Sequence, residues 1–481
     1  MNAVVLAVAL PLLGAFLTPS LARLSLPLGR LFGPGLLAFC LWLLWGIARA
    51  LGDATAGVAL GGFAPPLGIA FHLDRLALLF ALAVPAMVLA LWPWGGRPRE
   101  WSLTLVLAAA ATGLALSGDL FNLYVFYELL AVASYGLIAA NQRPAAQAAA
   151  LRYLLLSAAG SALALLGIAL VYTQTGTLNL AQLALLAPVS LDGPLGLAAF
   201  ALLLLGIGVK AEAFPVNTWV PEVYATAPSR LAGLLAGLVS KLAVLVIVRL
   251  LLVVFQRPEA TQLMLVLGVL GIAWGELAAW RARDLSRQLA WSSVGQLGIV
   301  FVAFSLPGET GVLAGLAVAL HHLLVKPALF LLARHWNGAL EGLRGAARRA
   351  PLAGALFALF ALSLVGVPPL PGFWAKFVTL SGLFAQPGPL CSLAAVVILT
   401  ATLVEAAYLF RTLTLLFGPG GEEPRMAPHG ALDLGTATAF AGLLLAGVIW
   451  LQPLTGDLHG IARQAVDMDT YVDTDLPTPR P

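Results

Sequence analysis

The residues of this chain that could do chemistry are ionisable side chains inside apolar sequence. The chain has 26 lysines and arginines, and only four of them are lysines: Lys210, Lys241, Lys326 and Lys376. Each of the four lies within or at the edge of an apolar run. A charged side chain at the middle of a bilayer costs about 2.5–3.5 kcal/mol, so such groups face a wet interior or a partner. We predict that the four lysines form a proton path and lie in one row inside the protein at mid-membrane depth.

A carboxylate and two histidines lie in similar surroundings. Glu128 is flanked by apolar and aromatic residues in FNLYVFYELLAVASYGLIAA, so we interpret it as a buried functional carboxylate. His321 and His322 precede Lys326 in LAVALHHLLVKPALFLL. Residues 322 and 326 share a helix face, and an imidazole titrates near neutral pH, so this segment is a candidate proton relay. Haem ligation is not favoured, because the other histidines lie near predicted helix ends or loops: His72, His335, His429 and His459.

Four other carboxylates are weaker candidates: Glu212, Glu222, Glu276 and Glu405. Glu405 lies six residues before Arg411 and is either an exit-path carboxylate or a structural partner. Glu222 and Glu276 are expected at membrane interfaces, where a solvated side chain is the simpler interpretation. Glu405 and Glu222 are therefore the accessory candidates for the proton path.

Prolines interrupt the apolar runs beside two of the lysines. Pro215 follows Lys210 by five residues, and a proline removes a backbone donor and clashes with the preceding turn of a helix. Residues 368–372 (PPLPG) precede Lys376 in a similar way. Broken helices in corresponding positions of two halves are typical of inverted-repeat transporters. We predict two inverted five-helix repeats, each with one broken helix.

Apolar segments that could position these residues recur along the whole chain. The sequence is 60% hydrophobic and only 10% charged, with a mean hydropathy of +0.95, whereas soluble domains have about 25% charged residues. Crossing a bilayer takes about 20 apolar residues. We predict an all-α polytopic membrane protein with fourteen spans: 3–22, 34–52, 76–94, 101–118, 120–140, 152–173, 195–215, 228–254, 261–280, 289–306, 312–333, 352–367 continued by 371–385, 390–415 and 433–452.

The connecting segments predict orientation and domain organisation. Arginines, as far along as Arg425, concentrate in the loops after odd-numbered spans, so the positive-inside rule places these loops in the cytoplasm and both termini outside. Residues 53–73 are expected to form an external hairpin or loop, residues 174–194 a short surface helix, and the polar tail after Leu451 loose structure. Pro327 predicts a further helix discontinuity. The predicted divisions are 1–100 (three helices and the external loop), 101–255 (first repeat), 256–417 (second repeat) and 418–481 (last helix and tail).

The sequence lacks the usual marks of substrate chemistry. It contains no phosphate-binding loop, redox ligand set or cofactor motif, so we expect no cofactor and no catalytic activity of this chain alone. Cys40 and Cys391 lie in apolar stretches and form no metal or disulfide framework. The net charge of +4 comes without a basic run, which argues against nucleic acid as a partner.

Several segments together resemble the antiporter-like subunits shared by respiratory complex I, membrane-bound hydrogenases and multisubunit Mrp sodium/proton antiporters. The strongest is VKAEAFPVNTWVPEVYATAPSRLAGLLAGLVSKLAVLVIVRL, which is similar to the family's K-A-x-x-F-P-x-x-x-W-L-P and the lysine-bearing helix after it. DLSRQLAWSSVGQLG is similar to the family's D-x-K-R-x-L-A-Y-S-S-x-x-Q-x-G signature. FNLYVFYELLAVASYGLIA resembles the glutamate helix, and HHLLVKPALFLLA and PPLPGFWAKF resemble the second half-channel.

This resemblance implies a fourteen-helix proton-conducting subunit of a larger complex in a prokaryotic inner (plasma) membrane. Its implied partners are sister antiporter-like subunits and the lipid bilayer, and its cargo is protons, with sodium as a further candidate. Glu128 and Lys210 would be the family's carboxylate–lysine pair. Lys241 would be the central lysine and Lys376 the terminal lysine, with a histidine and Lys326 between them.

The sequence also departs from the family pattern. Glu212 stands where the family usually has a small neutral residue, Ser286 replaces a basic residue, and Trp291 replaces a tyrosine. The chain length, the His-His-x-x-x-Lys run and Lys376 favour the Mrp D-type subunit. A membrane-arm subunit of a complex I-like NADH:quinone oxidoreductase or a hydrogenase remains the alternative. The intact lysines and Glu128 argue against a scaffold with a dead proton path.

Overall fold

The computed structural model describes residues 2–336, 339–419 and 430–476. Most of the described chain is helical, with one small two-stranded sheet. The prediction of an α-helical membrane-type fold is therefore confirmed. Arg425, His429 and the side chain of His335 lie outside the described residues.

The helices follow the apolar segments of the sequence, with prolines or capping side chains at many of their starts. Asp74, Asp119 and Asp284, for example, accept hydrogen bonds from the first backbone N–H groups of the helices that follow them. The elements in chain order are α1 (Asn2–Leu24), α2 (Leu26–Leu51), β1 (Ala56–Ala59), β2 (Ala70–Leu73), α3 (Arg75–Ala90), α4 (Pro98–Leu116), α5 (Leu120–Ala139), α6 (Pro144–Thr175), α7 (Leu180–Ser190), α8 (Pro194–Gly208), α9 (Val220–Thr226), α10 (Ser229–Leu234), α11 (Ser240–Val253), α12 (Pro258–Arg281), α13 (Leu285–Phe304), α14 (Gly308–Ala333), α15 (Ala346–Arg349), α16 (Pro351–Val365), α17 (Pro371–Ala385), α18 (Pro389–Phe417), α19 (Ala431–Ile449), α20 (Leu451–Val466) and α21 (Met468–Asp475).

Nine helices in the described part of the chain are long and apolar enough to cross a membrane. One of them is continuous from α10 to α11 through a π-helical segment, Leu235–Val239. Helices also occupy the other predicted spans, but these are shorter or less apolar. The chain is therefore a multi-pass membrane protein, and the count of fourteen spans stays a prediction.

The described chain divides into two compact units. The first unit comprises residues 1–211, 242–263 and 461–481. Within it, α6 and α8 approach closely because both carry glycine at the contact: a Cβ added at Gly206 would lie 2.5 Å from the carbonyl oxygen of Gly160. Small residues at such contacts are the usual basis of helix packing in membranes, where apolar burial gives little drive.

Residues 53–73 form a hairpin in the first unit, as predicted. Strands β1 and β2 pair antiparallel, with Ala56 opposite Leu73 and Ala59 opposite Ala70. Residues 180–190 form α7, which confirms the short helix predicted within 174–194.

The prediction of loose structure after Leu451 is wrong for the described residues. The tail forms α20 and α21, and it buries Ile461, Ala462 and Tyr471. Asp475 is also buried and lies 3.1 Å from His72 on β2. The tail is polar in overall composition, but its apolar residues recur with helical spacing and form one face of an amphipathic helix.

The second unit comprises residues 212–241 and 264–460. Its helix α12 and helix α13 also meet at glycines, since a Cβ at Gly298 would lie 2.6 Å from the carbonyl oxygen of Gly268. Helices α16 and α17 are separated by residues 366–370, which confirms the predicted break before Lys376. The chain likewise leaves helical geometry after α8, so the break beside Lys210 is confirmed.

The discontinuity predicted at Pro327 is wrong. Helix α14 runs unbroken from Gly308 to Ala333 with Pro327 inside it. The ring of Pro327 packs against the π-helical segment. A Cβ added at Gly237 of that segment would lie 2.5 Å from the Cγ atom of Pro327. A proline inside a membrane helix is tolerated where neighbouring helices support it, and α14 is buried along most of its length.

Candidate functional site

Lys210 lies just beyond α8 in the first unit and is almost completely buried, with 1% exposure. Its Nζ atom donates a hydrogen bond of 3.1 Å to the Ser157 hydroxyl of α6. The same atom lies 3.3 Å from the centre of the Tyr127 ring, a cation–π arrangement. Tyr127 is itself fixed by a hydrogen bond from its hydroxyl to the carbonyl oxygen of Gly206. The break after α8 thus places an amine against a hydroxyl and an aromatic face.

Glu128 does not form an ion pair with Lys210 in the described structure. It is half-buried on α5, and its Oε1 atom has no hydrogen-bond partner among the described residues. Glu128 is nevertheless the charged group that acts most directly on Lys210. The two residues predicted as a pair are therefore neighbours that influence each other electrostatically without a direct contact.

Lys241 lies at the start of α11, directly after the π-helical segment. That segment shifts the backbone hydrogen bonds, with the Ser240 N–H donating to Leu235. The carbonyl oxygen of Ala236 accepts from the side chains of both Ser240 and Lys241. π-Helical turns often occur at functional sites, and this one orients the buried lysine.

His322 is the main side-chain partner of Lys241. The Lys241 Nζ atom lies 2.6 Å from Nδ1 of His322, on α14. The other ring nitrogen of His322, Nε2, has no hydrogen-bond partner in the described residues. Both side chains are almost fully buried. The amine in contact with His322 is therefore Lys241 and not Lys326, and a proton relay through these residues stays a prediction.

Lys326 and His321 contact serine hydroxyls. Lys326 is fully buried and donates to the Ser292 hydroxyl of α13 at 2.7 Å. The Nε2 atom of His321 lies 2.8 Å from the hydroxyl of Ser363 on α16. Both residues point into protein, which is the environment that the sequence predicted.

Lys376 on α17 forms an ion pair with Glu405 on α18. Its Nζ atom lies 2.7 Å from Glu405 Oε2. The other carboxylate oxygen accepts a 2.7 Å hydrogen bond from the Gln296 amide on α13. Arg411, the alternative partner by sequence, donates instead to the carbonyl oxygen of Trp280. Of the two interpretations of Glu405, the structure supports a direct partner of Lys376.

Glu222 and Glu276, which were expected at interfaces, occupy different environments. Glu222 is partly exposed and pairs with Arg287 at 3.2 Å, as expected for a solvated carboxylate. Glu276 is 2% exposed, so the solvated side chain expected for it is wrong. Glu212 is also buried and accepts a hydrogen bond from the Tyr224 hydroxyl. The apolar flanks of Glu276 in AWGELAAW are the one sequence signal that could have indicated its burial.

A cluster of charged residues in the first unit joins the turn before α3 to helix α11 and to the C-terminal helix. Asp74, in the turn before α3, accepts two hydrogen bonds from the Arg249 guanidinium at 2.6 and 2.9 Å. Burial acts to raise the pKa of the Asp74 carboxyl, but Arg249, His72 and the Ala77 N–H together hold that pKa below its usual value. His72 joins this cluster to Asp475. The cluster therefore fixes the hairpin and the C-terminal helix to the helical body of this unit.

Metal binding has no support from the geometry. The described residues contain no group of three or more histidine, cysteine, aspartate or glutamate side chains that could hold a metal ion.

Residues 117–403 match the model of the family described as NADH:quinone oxidoreductase/Mrp antiporter, TM. The chain belongs to this family. It is 33% identical over 457 residues to the NADH-quinone oxidoreductase subunit N of Desulforudis audaxviator, covering 89% of this chain and 90% of that one. It is 30% identical over 476 residues to the D-type subunit of the Na(+)/H(+) antiporter of Bacillus subtilis, covering 94% and 95%.

A solved structure supports the same family assignment. The chain matches a subunit of the membrane-bound sulfane sulfur reductase, an archaeal respiratory membrane complex, with a TM-score of 0.91 and 28% identity. The match covers 99% of this chain and all of that one. The resemblance to the NADH:quinone oxidoreductase/Mrp family in the sequence segments is thereby confirmed.

Proposed function

We propose that this chain is a proton-conducting subunit of a multisubunit cation/proton antiporter of the Mrp type. One observation carries the proposal: amines, imidazoles and carboxylates that cost energy to bury contact one another or neutral hydroxyls inside a membrane protein. Ionisable residues in such positions mark ion pathways. The proposed proton-path residues are Glu128, Lys210, Lys241, His321, His322, Lys326 and Lys376, with Glu405 as an accessory.

The contact between Lys241 and His322 can carry a proton without a large movement of atoms. When the Nζ atom gives one proton to Nδ1 of His322, one N–H bond breaks and another forms over 2.6 Å. The net charge of the two residues is unchanged. The position of the charge does change, and neighbouring ionisable groups respond because Coulomb forces are long-ranged where the dielectric constant is low.

We further propose the finer architecture that the sequence predicts. It consists of fourteen spans, two inverted five-helix repeats within residues 101–255 and 256–417, and both termini on the outer face of a prokaryotic inner membrane. Two observations support it. A helix occupies each predicted span, and each predicted repeat contains one broken helix beside a lysine.

The second candidate function is a proton-pumping subunit of a redox-driven membrane complex. It is favoured by the likeness to a quinone oxidoreductase subunit and to a respiratory membrane complex. The same proton path would then be driven by electron transfer in other subunits. Sister membrane subunits are the proposed partners in both cases.

The proposal is tested with the chain alone and with its complete complex in sealed vesicles. We expect no sodium/proton exchange by the single chain, because a lone proton path has no energy source in its own sequence, and exchange or redox-driven pumping by the complex. Glu128→Gln in the complex should abolish transport without loss of assembly, since Glu128 makes no direct ion pair with any residue that the structure describes. Robust sodium-dependent exchange by the single chain, or full transport by an assembled Glu128→Gln complex, would contradict the proposal.

A further inference from the structure

Glu276 is a buried carboxyl group that the proposed proton path does not use. It lies on α12 in the second unit, and its Oε2 atom accepts a 2.9 Å hydrogen bond from the Tyr408 hydroxyl. Its Oε1 atom is buried without a hydrogen-bond partner in the described residues. No cation lies within ion-pair distance of it in the part of the chain that the structure describes. A carboxylate in such surroundings carries a high desolvation cost.

The Glu276 carboxyl fits against α13 at a position where residue 295 is a glycine. A Cβ added at Gly295 of α13 would collide with Glu276 Oε1. Glycine is thus required opposite the free carboxyl oxygen. A carboxyl with a purely structural role would have hydrogen bonds to both oxygens, because an unsatisfied buried polar atom destabilises the fold by about 1–3 kcal/mol.

Glu276 adjoins a row of polar side chains between α13 and α18, which we name the polar ladder. On α13 the residues are spaced by four and on α18 by three and four, so each set lies on one helix face. Two hydrogen bonds cross between the helices, Gln296 to Glu405 at 2.7 Å and Thr412 to Gln288 at 2.9 Å. The polar ladder consists of Gln288, Ser292 and Gln296 on α13 and Glu405, Tyr408 and Thr412 on α18.

The polar ladder has a charged group at one end and a cavity at the other. The first end is the ion pair of Lys376 with Glu405. At the second end, Gln288 lies in the first turns of α13. The residues that begin this helix, Asp284 and Ser286 among them, line part of a cavity of about 400 Å³. The Gln288 amide nitrogen is buried and has no hydrogen-bond partner among the described residues. Polar groups therefore extend from the buried ion pair to the end of the helix pair.

We propose that Glu276 is a proton-carrying residue that links the Lys376–Glu405 ion pair to the cavity at the start of α13. This inference rests on the proposed function as a proton-conducting subunit. In the acid form Glu276 holds one proton. When it releases that proton towards the ion pair, its O–H bond breaks and an O–H bond forms on the Glu405 carboxylate, while the Tyr408 hydroxyl stabilises the resulting Glu276 carboxylate. A proton arriving along the polar ladder restores the acid.

Three other charged groups are near enough to act on Glu276 electrostatically: Glu405, Lys326 and Lys376. A proton gained or lost at the Lys376–Glu405 ion pair therefore changes the energy of the proton on Glu276. This coupling is what a relay residue requires, since its occupancy must respond to the state of the group before it.

The test uses the complete complex with Glu276→Gln, which keeps an oxygen acceptor for Tyr408 but holds no transferable proton. The matched control is Glu259→Gln, on the same helix, where the carboxylate is exposed and pairs with Arg257. We expect loss of most proton transport in Glu276→Gln and wild-type transport in Glu259→Gln. Infrared difference spectra should contain a protonated-carboxyl band in wild type and in Glu259→Gln that is missing in Glu276→Gln.

A second variant keeps the test decisive if Glu276→Gln assembles poorly. Tyr408→Phe retains the carboxyl and removes only its hydrogen-bond donor, so it should slow transport and shift the infrared band. Wild-type transport in assembled Glu276→Gln or Tyr408→Phe complexes, or an unchanged carboxyl band, would overturn the inference. Absence of proton transport in the wild-type complex would instead contradict the proposed function itself, so the two failures are distinguishable.

Discussion

Lys210 and Lys376 are the two lysines beside broken helices, and their surroundings differ. Lys376 lies against a carboxylate at 2.7 Å, and that carboxylate is held in turn by Gln296. Lys210 lies against a serine hydroxyl and the face of Tyr127, with no carboxylate at ion-pair distance among the described residues. The same sequence feature thus creates one lysine whose charge is compensated directly and one whose charge is not.

This difference predicts that the two lysines contribute unequally to the stability of the fold. The charge of Lys376 is part of a buried ion pair, so removing it leaves Glu405 uncompensated. Among the described residues, the amine of Lys210 contacts a hydroxyl and a ring face, and Glu128 acts on it without direct contact. Lys210 can therefore be neutralised without leaving a directly paired carboxylate unpaired. We infer that the fold depends on Lys376 more than on Lys210, while the proposed transport depends on both.

The largest expected effect follows from breaking the ion pair. Lys376→Met leaves Glu405 buried without a cation, and loss of one partner of a buried pair typically costs about 3–5 kcal/mol. We expect a clear fall in the thermal unfolding midpoint of the purified complex. The double variant Lys376→Met with Glu405→Gln should recover most of the stability, because no charge is then left unpaired. A single variant as stable as wild type would show that the ion pair does not support the fold.

The converse experiment concerns Lys210. Lys210→Met removes a buried charge that has no carboxylate at ion-pair distance in the described part of the chain, so the unfolding midpoint should stay close to that of wild type. Proton transport in vesicles should nevertheless be lost, because methionine carries no proton. If Lys210→Met destabilised the complex as strongly as Lys376→Met, the contrast between the two lysines would disappear.

The sequence predicted the lysine environments better than their contacts. Burial of all four lysines followed from the cost of charge in lipid, and the two helix breaks followed from proline geometry. Contacts between helices depend on which residues meet across distant segments, such as Glu405 and Lys376, 29 positions apart. Sequence spacing placed Glu405 six residues before Arg411 and did not indicate Lys376 as its partner.

Three features were not predicted, and each depends on contacts between distant segments. The π-helical segment before Lys241 depends on packing of Gly237 against Pro327, two residues that are distant in sequence. Helix α14 is continuous through Pro327, so the break expected from the proline does not occur. The burial of Glu276 depends on the missing side chain of Gly295 on another helix. In each case a glycine sets a close approach that local sequence does not reveal.

The first unit also contains a buried ion pair, between Arg249 and Asp74. Asp74 lies in the turn before α3, so this pair extends the comparison to a carboxylate outside the membrane spans. The pKa of Asp74 is held below its usual value in the fold, chiefly because Arg249 outweighs the effect of burial. A depressed carboxyl pKa stabilises the fold above the unfolded value, which is about 3.9 for aspartate, and this stability is lost as the pH falls through the folded value.

The smallest expected effect is therefore a change in acid sensitivity. Chemical unfolding of the complex should be easier at acid pH than at neutral pH, and Asp74→Asn should reduce this dependence because no proton can then be taken up at that position. Asp53→Asn is the matched control, since Asp53 pairs with Arg75 at an exposed site and exposed pairs contribute little. An equal acid dependence in Asp74→Asn and in wild type would assign the effect to other carboxylates. Loss of the dependence in Asp74→Asn alone would extend to the first unit the rule inferred from Lys376, that a directly compensated buried charge supports the fold.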